Sequence, residues 1–159
     1  MTTLPANLHF LSFDKEKLGK IWEELKEFCW YLGEGEYADP VFFTKVFTAP
    51  DSVILEASYG YFVINNIKKG NRAEVHLPLT DHKLSAHIPD IQAGLVWLFT
   101  EFDLRRVETN IYGFQRAVRR FLTKIGFQHE GTLRKRAMVR GEWRDVEMYS
   151  ILREEIFNA

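Results

Sequence analysis

Residues 121–152 read FLTKIGFQHEGTLRKRAMVRGEWRDVEMYSIL. Apolar residues at helical spacing run up to Gly126, which ends the helix. Two β-rich runs follow, 127–139 and 144–152, with RGEW (140–143) between them as a hairpin turn. The stretch therefore predicts the end of a helix over 114–125, with Arg116, Arg119 and Arg120 on its basic side, and then two long antiparallel strands.

Working outward, RRVETNIY (105–112) reads as a strand. Before it lies a helix over roughly 88–102, with Ile91, Leu95, Leu98, Phe99 and Phe102 on its apolar face. VILEAS (53–58), YGYFVINNI (59–67) and RAEVHLPL (72–79) form a three-strand meander, with KKGN (68–71) as a turn signal. Nearer the N-terminus, Pro40 to Phe47 reads as a short helix after a loop, GEGEYADP (33–40). A longer helix over 17–28 is N-capped by Asp14, and a short strand lies over 8–13. The order β-α-α-β-β-β-α-β-α-β-β predicts an α+β fold: a mixed, mostly antiparallel sheet of about seven strands with about four helices.

The bulk properties agree with a packed domain. With 159 residues, 46% of them hydrophobic, the chain predicts one domain over 1–159 with a sizeable core. A net charge of −1 provides no global basic field, which disfavours a nucleic-acid-coating role. The single cysteine, Cys29, excludes a disulfide framework within the chain. No apolar run approaches the roughly 20 residues of a membrane span, and MTTLPANLHF lacks the pattern of a signal peptide. These readings predict a cytoplasmic protein with no membrane partner.

Within the opening stretch, Gly126-Phe127, Glu130-Gly131, Leu133-Arg134, Gly141 and Asp145 follow a spacing that resembles the end of the GNAT N-acetyltransferases. Within them it is most similar to the group that acetylates ribosomal-protein N-termini. WLFTEFDLRRVETNI (97–111) is similar to that group's third helix and fifth strand. The resemblance implies an acyl-CoA N-acyltransferase fold, with acetyl-CoA as cosubstrate. It implies acetyl transfer to an amine of a protein, peptide or small molecule, by direct attack in a ternary complex. It also implies splayed fourth and fifth strands, with the pantetheine arm lying along the edge of strand 72–79 at Val75 and Leu77. The pyrophosphate would then sit over the N-terminus of helix 88–102, where free N–H groups and the helix dipole favour anions. Exposed C-terminal strands pair between subunits in this fold, which makes a homodimer an option.

The sequence departs from the family in the connector before that helix. The usual Gln/Arg-x-x-Gly-x-Gly/Ala is matched by His82-Lys83-Leu84-Ser85-Ala86-His87, or by a register about two residues away. Neither contains a glycine, which would let backbone approach the phosphates closely. On one reading Ser85, Ala86 and the N–H groups around His87 still form a cradle, with His82, Lys83 and His87 supplying positive charge. On the other the connector has lost the cofactor, and the protein is a catalytically inactive binding or interaction module.

Acetyl transfer needs a proton acceptor for the attacking amine and donors for the thioester oxygen. Glu74 and His76 share one strand face, as do Glu108, Asn110 and Tyr112 on the next strand. Glu74 or His76, directly or through water, is the expected base, and Asn110 completes the expected catalytic set. Backbone N–H groups near Leu77 would face the thioester oxygen. The family's Tyr before Gly-Phe is replaced by Leu122, and its helix-opening Asn by Gln115. Gln115 and Arg119 are expected to contact the cofactor, Arg119 by way of a CoA phosphate. The five histidines show no metal-ligand spacing, so no metal is expected. Tyr31, Phe42 and Phe43 are candidates for an aromatic acceptor wall.

Overall fold

The computed structural model describes residues 2–11, 14–26 and 40–158, with Phe42 described by its backbone alone. The end of the expected first helix at Phe28, nearly all of the 33–40 loop, and Tyr31 lie outside the described residues, as does the side chain of Phe42.

Seven strands form one sheet in the order β1-β2-β3-β4-β5-β7-β6. They are β1 (His9–Phe10), β2 (Val53–Ala57), β3 (Gly60–Lys68), β4 (Arg72–His76), β5 (Arg106–Tyr112), β6 (Gln128–Val139) and β7 (Glu142–Leu152). Every neighbouring pair is antiparallel except β4 and β5. Among the described residues five α-helices accompany the sheet: α1 (Lys15–Leu25), α2 (Pro40–Thr48), α3 (Ile88–Glu101), α4 (Arg116–Ile125) and α5 (Arg153–Phe157). The last is one more than expected; at five residues it is too short to show helical periodicity.

Period-two alternation along the central strands builds a core on each face. Leu55, Phe62, Ile64, Val75 and Val107 point to the side packed by Ile91, Leu95 and Leu98 of α3 and by Phe121 and Leu122 of α4. Ile54, Tyr61 and Val63 point the other way, onto Ile21 and Leu25 of α1 and Phe43 and Phe47 of α2. Gly94 lets α3 sit close to the sheet. A Cβ there would lie 2.8 Å from Phe62 Cε1 and 2.9 Å from Leu8 Cδ1.

Among the boundaries that differ from the sequence reading, two do so for a clear local reason. The hairpin turn is two residues, not four: Arg140 and Gly141 both take positive φ (51° and 77°), so β7 begins at Glu142. Strand β4 ends at His76 rather than Leu79. Pro78 cannot donate a ladder hydrogen bond, and the chain there instead folds over the β2–β3 turn. Tyr61 N–H donates to the Pro78 carbonyl (3.2 Å), and Thr80 N–H donates to the Tyr59 carbonyl (2.9 Å).

Candidate active site

The parallel pairing of β4 with β5 is short. Arg72 pairs with Arg106, Ala73 with Val107 and Glu74 with Glu108, and no rung follows. Beyond that point β4 turns into the connector while β5 continues to Tyr112. The strands part, and α4 lies across the opening. The resulting cavity, about 320 Å³, is lined by Val75, His76 and Leu77 on one side and Thr109, Asn110 and Ile111 on the other. Gln115, Val118, Phe121 and Leu122 close it from the helix side, and Asp81 and His82 from the connector.

A second cavity of about 320 Å³ adjoins the first, sharing His82, Leu84, Ala117 and Phe121. The connector contributes Lys83, Ser85 and Ala86 to it, and α4 contributes Arg120 and Lys124. Three full cations therefore surround it. The connector is a short 3-10 turn, Leu84–His87, that runs directly into α3. Together the two cavities form a groove, mostly apolar where the strands part and basic at the start of α3.

His76 is half-buried beside the parted strands. Loss of water around the ring lowers its pKa from the ordinary 6.5 to about 4. The imidazole is therefore neutral at pH 7 and has a lone pair to accept a proton. Asn110 is exposed on the opposite wall.

Most of the expected site residues come together here. His76, Asn110, Val75, Leu77, His82 and Gln115 line the first cavity, and His82, Lys83, Ser85 and Ala86 the second. Three line neither. Glu74 belongs to the last paired rung, where β4 and β5 still hold together, so it lies short of the gap. His87 is turned away from the groove: its ring stacks on Tyr59 at 4.2 Å, and its Nε2 lies 2.6 Å from Asp81 Oδ2. Arg119 turns away from the groove: its Nη2 donates to the carbonyl of Gly113, just after β5 (3.2 Å), and faces Glu147 Oε1 on β7 at 3.4 Å. Arg120, one residue on, takes the groove-facing place expected of Arg119. The remaining candidates on the parted strands are also committed elsewhere. Glu108 accepts from Arg106 Nε (2.7 Å), and Tyr112 stacks on Phe114. Among the described residues, no group of three or more His, Cys, Asp or Glu is placed to hold a metal, and no helix is long and apolar enough to cross a membrane.

Sequence reasoning missed Asp81, Thr109 and Lys124. The signal for Lys124 was available: Arg120 and Lys124 are four apart and share a helix face with Phe121 and Ala117, whereas Arg119 is rotated away. Asp81 had only a weak signal, an Asx-turn residue ahead of a short helical turn.

Comparison with protein-family models finds no match. Solved structures do match over almost the whole chain. Spermidine N-acetyltransferase from Vibrio cholerae, in complex with CoA and spermine, superposes with a TM-score of 0.76 at 17% identity, covering 97% of this chain and 100% of that one. A point mutant of the same Vibrio cholerae enzyme, SpeG, gives 0.74 at 16%, covering 97% and 98%. A chimera of SpeG and hSSAT gives 0.75 at 18%, covering 95% and 99%. The chain has the GNAT acyltransferase fold. At this identity the likeness speaks for architecture, and the parted strands and adjoining groove are where this GNAT fold departs from an ordinary closed sheet.

Proposed function

We propose that this protein transfers an acetyl group from acetyl-CoA to an amine carried by a protein, peptide or small molecule. The observation that carries the reading is the end of β4–β5 pairing at Glu74 and Glu108, with a cavity at that point leading into a basic one. The residues suit the cosubstrate. The unpaired edge of Val75 to Leu77 offers backbone groups to the amide-bearing pantetheine arm. Leu84, Phe121 and Leu122 give it an apolar wall. Lys83, Arg120 and Lys124 supply charge for phosphates at the start of α3. The solved SpeG complex with CoA and spermine supports this use of the fold.

The chemistry assigned to the chain is modest. The attacking nitrogen must lose a proton as it bonds to the thioester carbon. Neutral His76 takes that proton, directly or through one water. Backbone N–H groups near Leu77 face the carbonyl oxygen as it gains charge, and the Asn110 amide orients the amine from the other wall. The departing thiolate takes its proton from water or, by return of the proton that left the amine, from the protonated His76.

Thiol release from acetyl-CoA with a panel of amines, including peptide N-termini and polyamines, tests the proposal. His76→Ala should lower kcat about 100-fold, a usual contribution for a general base. Unchanged turnover in His76→Ala would remove the base assignment. No binding of acetyl-CoA and no turnover on any amine would favour the inactive-module reading, in which the glycine-free connector has lost the cofactor.

A further inference from the structure

The connector between β4 and α3 is held by backbone contacts in its first half and by side chains in its second. Its first half is fixed on the β2–β3 turn. Thr80 N–H donates to Tyr59 O, and Gly60 fits so closely that a Cβ would lie 2.5 Å from the Pro78 carbonyl. Its second half is closed by one carboxylate. Asp81 Oδ1 accepts the Lys83 N–H at 2.9 Å, and Asp81 Oδ2 lies 2.6 Å from His87 Nε2. The pair thus brackets residues 82–86, the connector residues that line the basic cavity. Tyr59, stacked against His87 with an interplanar angle of 16°, backs the clasp.

A carboxylate is out of place beside an anion site unless its charge is already committed. Here both oxygens are. The hydrogen bond from the Lys83 N–H, and then that from His87, hold the Asp81 carboxyl below the usual range. Its charge is spent on shaping the loop, while Lys83, Arg120 and Lys124 face the groove.

We infer that Asp81 and His87 are a positioning pair: they clasp the glycine-free connector into the shape that receives the nucleotide end of CoA. This rests on the acetyl-CoA reading above. Neither residue touches the phosphates; both act through Lys83, Ser85 and Ala86.

The test compares CoA with pantetheine, which lacks the nucleotide, by calorimetric titration of the full chain. Asp81→Ala and His87→Ala should each weaken CoA at least about tenfold, the effect of losing one charge-assisted hydrogen bond. His87 lines neither cavity, so His87→Ala should leave pantetheine within about twofold. His87→Gln, which keeps a donor for Asp81, should recover much of the CoA affinity. Tyr59→Phe, which keeps the stacked ring, should match wild type. Thermal melts establish which variants are folded, and the contrast of His87→Ala with His87→Gln carries the test if Asp81→Ala is not. Unchanged CoA affinity in folded Asp81→Ala and His87→Ala would overturn the inference. So would a parallel loss for pantetheine in His87→Ala, the mark of general disruption. Failure of the wild type itself to bind CoA would overturn the acetyl-CoA reading first, a result distinguishable from both.

Discussion

At the scale of single residues, His76, the proposed base, leaves a trace in stability. Its pKa is lowered to about 4 in the fold against 6.5 when exposed. Between those values the unfolded chain binds a proton that the folded chain does not. Stability from this group is therefore complete above pH 6.5 and falls as pH drops toward 4, by about 2 kcal/mol at pH 5. Urea unfolding at pH 7 and pH 5 should show that loss in the wild type and a smaller one in His76→Gln; equal losses would mean the ring is not desolvated. Gly94 gives a second residue-level expectation. Gly94→Ala places a methyl within 3 Å of the Phe62 ring, and should cost about 1–3 kcal/mol in the same experiment by overpacking. An unchanged midpoint would show that α3 can shift without penalty.

At the scale of elements, what the sequence made legible and what it hid have separate physical causes. Strands β5, β6 and β7 were visible because their alternation and the Gly126 stop are local. So was the N-cap of α1, where Asp14 Oδ1 accepts the Lys17 N–H at 2.7 Å. Asp14→Ala should lower stability by about 1 kcal/mol, readable as a shift in thermal midpoint; no shift would mean α1 is held by packing alone. The early end of β4 was not legible, since it depends on Pro78 and Thr80 meeting the β2–β3 turn some twenty residues away. Alternation placed Glu74 and His76 on one face correctly, but only register shows that Glu74 is in the last closed rung and His76 beyond it. Arg119 and Arg120 are adjacent in sequence and serve different ends, the one facing Glu147 on β7 and the other the groove. Composition saw a basic helix side; rotation about the helix axis decided which cation counts.

At the scale of the whole molecule, the fold needs no glycine in the connector to be the GNAT fold. Strand order, the single parallel pair and the two cores determine the architecture. Sequence-based family models find nothing while solved structures superpose over nearly the full length. That contrast is expected where packing constrains many positions only loosely. The central claim, made as a proposal, is that the groove takes acetyl-CoA. Its most direct test is calorimetric titration of the purified protein with acetyl-CoA. The account predicts saturable binding with a Kd in the micromolar range, about −8 kcal/mol. No saturable heat up to millimolar acetyl-CoA would contradict it.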